Sequence, residues 1–396
     1  MKKIIPYGKH EILEEDIQGV VKTLRSDFLT NGPKIDQFEK DFSKYVGSKY
    51  AVAVSSGTAA LHLCVLAMEL QKNDHVVTTP ITFVASANCI RYCDGNVVFS
   101  DIDPNSFLLD LDKLELLLEN QKSDKIKGII SVNFAGRVID LERLRKLADK
   151  HNLWIIEDAC HSPGGYFVDL NNNHQLSGNG RFADLSIFSF HPVKHIASGE
   201  GGIITTNNLK LYERLKTLRN HGITKNVNDF INTEKMADYS SIGQYPKWYM
   251  EMQILGFNYR ISDINCSLGI TQLKKAKIRL NKRIAIAKRY NEAFKNKKYV
   301  VRQSGFVKGH AYHLYIIQVE NRFELYNYLR EKGIHCQIHY FPCHLMPYYK
   351  KMGWKENDFK NAENYYKKCM SLPIYPSLSK KDQTRIIEKI NNFYNE

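Results

Sequence analysis

Between residue 50 and about residue 205, short apolar runs alternate with stretches of helical periodicity, and no other feature of the chain limits its folding so strongly. The runs are YAVAVS, HVVTT, VVFSDID, KGIISVNF, LWIIED, LSIFSF and GGIITT, and helical patterns begin at Thr58, Thr82, Leu141 and Leu209. Short runs that are apolar throughout predict strands buried on both faces, and helices between them predict parallel crossovers. The expected fold class is α/β, a largely parallel sheet covered by helices on both sides. Ligands of such sheets bind beyond the carboxyl ends of the strands. The residues directly after each strand are therefore the candidates for chemistry.

Two long polar connections interrupt the pattern, at 166–182 and 222–249. Loops of this length inside a domain are expected to be lids or interface elements. From residue 277 the character changes to a long basic helix, a strand HLYIIQVE, a helix, a strand HCQIHYF and a terminal helix from Lys380. This predicts a large domain over 1–276 and a smaller C-terminal α+β domain over 277–396. With 396 residues, 43% of them apolar, both can bury a core. The stretch AVAVSSGTAALHLCVLAM, 51–68, is apolar enough to suggest a membrane span, but Ser55 to Thr58 break it into a strand, a turn and a buried helix. No membrane insertion is expected. The start MKKIIPYGKHE holds too few apolar residues before Pro6 for a signal peptide. The eight cysteines contain no C-x-x-C pair and lie mostly in apolar stretches, as reduced thiols of a cytoplasmic protein do.

Charge narrows the partners. Lys and Arg number 56 against 42 Asp and Glu, a net +14. An excess of this size suits a polyanion, a membrane surface or an anionic small ligand. The basic residues are spread along amphipathic segments such as LKKAKIRLNKRIAIAKRY, 273–290, instead of forming runs, which argues against nucleic acid and leaves simple helix-face solvation as the alternative. The cluster HCQIHYFPCH, 335–344, invites a metal reading. On a strand, however, His335 and His339 face one way and Cys336 the other, so the ligands would not converge and no metal is expected.

After YAVAV comes SSGTAALHL, where Gly57 allows a tight turn and Thr58 and Ala59 open a helix. Its first N–H groups lack helical partners, which suits a phosphate, although an ordinary capped helix start reads the same way. After LWIIE comes Asp158, a carboxylate at the end of a buried strand, costly unless a cation meets it and otherwise a turn cap. His161 follows in the same turn. After LSIFSF, Ser189 ends the strand and Lys194 follows, before Gly199, Gly201 and Gly202 return the chain as GGIITT. A lone lysine is ordinarily a solvated charge. Between two buried strands, however, burial lowers its pKa and makes the neutral amine available for a Schiff base. Phe83, in TTPITFVASAN, either stacks on a ligand ring or belongs to the core. An anion cradle, an aspartate, a serine and a buried lysine on one sheet match the needs of pyridoxal 5'-phosphate (PLP): a phosphate cup, an acid for the pyridine nitrogen and a lysine to bond.

Taken in order, LTNGPKIDQFE, SSGTAALHL, TTPITFVASAN, EDACHSPGG, FSFHPVKHIASGEGG, LRNHG, GFNYRISDINCSLGITQLKK, HYFPCHLMPYY and LPIYPSLS resemble the DegT/DnrJ/EryC1/StrS sugar aminotransferases, a family of fold-type I PLP enzymes with the aspartate aminotransferase-like fold. The likeness covers nearly the whole chain. Within the family, FSFHPVK with an EGG turn and TTPITFVA look most like members that aminate C4 of a UDP-linked 4-keto-6-deoxy-N-acetylhexosamine in pseudaminic acid-type biosynthesis.

The resemblance implies roles residue by residue. Lys194 would be the Schiff-base lysine and proton shuttle, and Asp158 the partner of the pyridine nitrogen. Thr58, Ala59 and Ser189 would hold the phosphate, Phe83 would stack on the ring, and His161 would sit beside the phenolic oxygen. Asn258, in GFNYR, would reach the cofactor phosphate of a neighbouring subunit, making a homodimer the active unit, unless it merely caps the following helix. His339 and Tyr340 would lie near the sugar nucleotide, and glutamate would be the amino donor. One departure is His195, where a proline or asparagine commonly follows the lysine; related dehydratases replace the lysine itself by histidine, whereas here it is retained. The other readings are an aminotransferase for a different nucleotide-linked keto sugar, or amination at C3, and a non-catalytic binder of PLP or a sugar nucleotide on the same fold.

Overall fold

The computed structural model describes residues 4–120, 125–232 and 246–395. Strands β1 (Tyr50–Val54), β2 (His75–Thr78), β3 (Asn96–Phe99), β4 (Ile126–Val132), β5 (Trp154–Asp158), β8 (Leu185–Ser189) and β9 (Gly202–Thr206) build one seven-stranded sheet, while β6 (Tyr166–Val168) and β7 (His174–Leu176) pair as a hairpin outside it. The order is β1-β9-β8-β5-β4-β2-β3. From β3 to β8 every pairing is parallel, and β9 runs antiparallel to both β8 and β1. β9 is antiparallel because the glycine-rich turn after Lys194 is too short for a crossover, which parallel neighbours require.

The helices follow from burial pattern. Gly57–Ala67 is apolar on every side and is a core helix, with Ser56 accepting from the Ala59 N–H as its cap. The apparent membrane span is thus β1, a turn and this helix, and no helix among the described residues is long and apolar enough to cross a membrane. Leu141–Lys150 buries Leu141, Leu144, Leu147 and Ala148 on one stripe and starts at an Asp140 cap. The helix expected from Thr82 begins at Ala85, since the Thr82 side chain is paired with Ser86 instead of capping.

Beyond β10 (Ile223–Thr224) and β11 (Glu251–Met252), which pair with each other, lies a second sheet. It is antiparallel, in the order β12 (Val300–Gln303), β13 (Tyr315–Val319), β14 (Cys369–Leu372). Its own apolar cluster joins Tyr290 and Phe294 of the helix Ala276–Phe294 to Ile317, Leu325, Leu329, Ile386 and Ile390. Ile5 belongs to this cluster and bridges to Ile334, so the N-terminal residues pack with the C-terminal body, not with the large sheet.

Three expectations change here. HCQIHYF is not a strand: it makes one bridge, Gln337 to Ser371, and then leaves the sheet toward Pro342, which has no N–H to donate to a ladder. The third strand is instead Cys369–Leu372, a stretch for which no element is expected from the sequence. The 166–182 connection is no open lid. It carries the hairpin β6–β7, and its Ser177 and Gly178 are bonded to the buried Glu157. Of the 222–249 connection, residues 233–245 lie outside the described residues.

Candidate active site

Where the large sheet's strands end, a cavity of about 330 Å³ opens, and eight of the ten residues singled out from the sequence line it. They are Thr58, Phe83, Asp158, His161, Ser189 and Lys194 from the first half of the chain, and His339 and Tyr340 from the second. Ala59 and Asn258 are not among them.

Asp158 is the last residue of β5. Alternation along the strand turns it to one face and Glu157 to the other. One Asp158 carboxylate oxygen accepts from Ser86 Oγ at 2.7 Å, the other from the Cys160 N–H at 3.1 Å. The second bond is a turn contact, but the first comes from a distant helix and aims the group into the cavity. No Lys, Arg or His among the described residues lies within ion-pair distance of it. Glu157 is fully buried and saturated: Asn133 Nδ2 (2.7 Å) and Ser177 Oγ (2.7 Å) donate to one oxygen, and Ser186 Oγ (2.6 Å) and the Gly178 N–H (3.0 Å) to the other.

Lys194 stands in the turn between β8 and β9, its N–H bonded to the His191 carbonyl at 2.8 Å. The turn is closed by Phe190 N–H to Gly201 O and Ser198 N–H to Phe190 O, both 2.9 Å. Its side chain is half-buried, and no hydrogen bond or ion pair holds it among the described residues. Burial pushes its pKa down, only partly opposed by the neighbouring Cys160 and Asp158. The reading as a solvated surface charge is therefore set aside.

The anion end is built by close approach. A Cβ on Gly57 would come within 2.9 Å of Ser189 Cβ, so glycine is required for the start of the helix to meet the end of β8. Ala59 differs from expectation: its N–H is already given to Ser56 Oγ at 3.1 Å, and its side chain is buried behind the cavity. The N–H groups of Gly57 and Thr58 have no acceptor among the described residues. They, with Ser189 Oγ, are the donors that face an anion.

The remaining wall is aromatic. Phe83 is 58% exposed, so it is not a core residue, and its ring lies 6.3 Å from that of Tyr340. Tyr340 Oη is 3.4 Å from His161 Nε2. His339 Nδ1 pairs with Ser371 Oγ at 2.9 Å, and burial, with Lys194 adding to it, pushes its pKa down to about 3. His344 pairs instead with Glu363, and Cys343 Sγ with the Thr82 carbonyl, so the side chains of 335–344 go separate ways.

Asn258 is exposed and bridges to Asn220. It does not cap the following helix, Asp263–Lys274. That helix is capped by Ser262, whose Oγ accepts from the Asn265 N–H at 3.2 Å.

The sequence reading missed Tyr7, Ser86 and Cys160, which also line the cavity. Ser86 and Cys160 sit within the quoted motifs TTPITFVASAN and EDACHSPGG and were within reach of the after-strand rule. Tyr7 carries no local signal, because the pairing of residues 5–7 with 333–335 and 374 brings it there.

The profile of the DegT/DnrJ/EryC1/StrS aminotransferase family matches residues 10–391, and the chain belongs to that family. It is 36% identical to the spore coat polysaccharide biosynthesis protein SpsC of Bacillus subtilis, over 98% of this chain and 96% of that protein. It is 35% identical to a UDP-4-amino-4,6-dideoxy-N-acetyl-beta-L-altrosamine transaminase of Campylobacter jejuni, over 99% and 100%. Among solved structures, Helicobacter pylori PseC, an aminotransferase involved in the biosynthesis of pseudoaminic acid, superposes with a TM-score of 0.85 at 29% identity, covering 99% of this chain and all of that one. The protein is a PLP-dependent sugar aminotransferase of fold-type I. Its cavity fits that cofactor: a carboxylate with no cation, an amine with no acid, and free N–H groups at a glycine that admits no Cβ.

Proposed function

We propose that this enzyme transfers an amino group from glutamate to C4 of a UDP-linked 4-keto-6-deoxy-N-acetylhexosamine, in nucleotide-sugar biosynthesis of the pseudaminic acid type. The observation that carries the reading is the pairing, on one cavity, of an unpaired half-buried Lys194 with a cation-free Asp158. PLP, when bound, supplies a carbonyl that bonds to amines and a ring that draws electrons from the carbon next to nitrogen.

The chain's own residues divide the work. Lys194 Nζ would hold the cofactor and, when released, take and return the proton at the reacting carbon. Asp158 would keep the pyridine nitrogen protonated, with Ser86 fixing the carboxylate's angle. Ser189 Oγ and the N–H groups of Gly57 and Thr58 would hold the phosphate, with Ala59 supporting them through the Ser56 cap. Phe83 would cover the ring and exclude water from one face. His161 would stand beside the phenolic oxygen, with His339 and Tyr340 toward the sugar. His339 is neutral at physiological pH, so it donates or accepts without adding charge.

The same reading makes the active unit a cytoplasmic homodimer. Exposed Asn258, outside its own chain's cavity, would serve the partner's phosphate. It also divides the chain at residue 276, with residues near Ile5 counted with the C-terminal body. The likeness to SpsC, as strong as that to the altrosamine transaminase, favours as the second reading a different nucleotide-linked keto sugar.

The test is mass spectrometry of products from a panel of UDP- and GDP-linked keto sugars incubated with glutamate. Amination of the UDP-linked 4-keto-6-deoxy-N-acetylhexosamine, at C4 by NMR, is the expected outcome. Preference for another member of the panel selects the second reading, and no turnover of any sugar overturns both.

A further inference from the structure

Next to the cavity, rings contributed by distant parts of the chain are packed in series. His161 and His313 stack with centroids 4.3 Å apart and planes 29° from parallel. His161 and Tyr340 lie 6.3 Å apart with planes only 23° from parallel. His195, the residue after Lys194, lies 5.8 Å from His313 at 38°. His161 is therefore aligned with two rings from the C-terminal part of the chain, one of which, Tyr340, also hydrogen-bonds to it.

His313 itself is held from behind. Arg283 is buried at 2% exposure, and its Nη1 donates to the carbonyls of His313 (3.2 Å), Tyr312 (3.3 Å) and Ile374 (3.0 Å). Gly136 makes this approach possible, since a Cβ there would come within 2.9 Å of the Tyr312 N and 3.0 Å of the His313 N. A buried guanidinium without a carboxylate partner is expensive. Here its Nη1 fixes the backbone that carries His313, while its Nε is buried without a hydrogen-bond partner among the described residues.

We propose that His313 is a positioning residue for the amination site: its ring, clamped by Arg283, sets the plane of His161 and so the alignment of His161 with Tyr340 at the cavity wall. The proposal rests on the aminotransferase reading for its kinetic consequence but not for its structural one. A flat face is what the stack needs. Phenylalanine at 313 keeps the face and leucine removes it, while both fill the space with apolar atoms.

The experiment uses His313→Phe and His313→Leu in the full chain, with two readouts. The first is the imidazole NMR signal of His161 in protein freed of PLP, assigned by its loss in His161→Asn. The expected result is that the signal stays near its wild-type position in H313F and moves in H313L, as the ring face above it is lost. The second is steady-state kinetics on the accepted sugar. A misaligned wall lowers kcat on the order of tenfold to a hundredfold in H313L, with KM changed little, and leaves H313F within a few fold of wild type. A His161 signal unmoved in H313L, or H313F and H313L losing kcat alike in proportion to lost thermal stability, overturns the proposal and leaves His313 a packing residue. Wild-type inactivity on every sugar would sink the aminotransferase reading while the NMR result still decides the positioning role.

Discussion

Glu157 and Asp158 are consecutive carboxylates at the end of one strand, and their surroundings differ completely. Glu157 is closed: four neutral donors from the β4 end, the β6–β7 hairpin and β8 fill both its oxygens. Asp158 is open: two donors leave lone pairs directed at a cavity. The first arrangement stabilises by satisfying a charge that would otherwise be very costly to bury. The second leaves an anion that no Lys, Arg or His among the described residues pairs with at ion-pair distance. A strand end thus has two faces, one that holds the sheet together and one that offers chemistry, and a one-residue shift of register would exchange them.

Substitution should break or sharpen this contrast. The largest effect is expected on the open side, at Lys194. Lys194→Ala should have no measurable turnover, and borohydride reduction of the wild-type holoenzyme followed by peptide mapping should leave the pyridoxyl mass on Lys194; a label on another lysine would refute the assignment. Mixing K194A with an inactive Asn258 variant should regain part of the activity in heterodimers, where one site receives both wild-type residues. No recovery, with heterodimers verified, would place Asn258 and Lys194 in one subunit's site.

Next comes Asp158. Asp158→Asn removes the charge that keeps a pyridinium, and the rate should fall on the order of a thousandfold, as when a well-placed electrostatic group is lost. The melting temperature should hardly move, because the lost partners are only Ser86 and one backbone N–H. Activity close to wild type would reduce Asp158 to a turn cap and erase the contrast with its neighbour.

Glu157 should give the smallest kinetic effect and the largest structural one. In Glu157→Gln the amide NH₂ meets either the Gly178 N–H and the Ser186 hydroxyl or the Asn133 Nδ2 and the Ser177 hydroxyl. The serines can rotate to accept, whereas the Gly178 N–H and the Asn133 Nδ2 cannot, so in either orientation a donor is left facing a donor and a loss of about 1–3 kcal/mol is expected in denaturant unfolding. Turnover of the folded fraction should stay within a few fold. If E157Q lost turnover as steeply as D158N with stability unchanged, the two faces would not be separable.

Much of this was readable in the residues. Asp158, Ser189 and Lys194 follow apolar runs, and in a parallel sheet that position alone brings them to one edge, whatever the details of packing. The errors share another cause. Ala59 has the same backbone N–H as Thr58 in sequence terms, and only the Ser56 side chain decides which is taken. For Asn258 only the alternative reading, a helix cap, is removed, because Ser262 holds that place. HCQIHYF has strand composition, yet its ladder stops at Gln337. His313 and Tyr7 reach their places through contacts between segments more than a hundred residues apart, which no local pattern encodes.

The bridge from Ile5 to Ile334 and the bond from the Ile374 N–H to the Tyr7 carbonyl carry a consequence for the order of assembly. Residues 5–7 leave the ribosome long before their pairing partners, which are made only after the whole large sheet. Closing so long a loop is paid for late in folding. Until then a nascent chain can hold a finished sheet, with Asp158 and Lys194 in place, and still lack one wall of its cavity. Completion of that wall is therefore a clock that starts only when the chain has been read past residue 374.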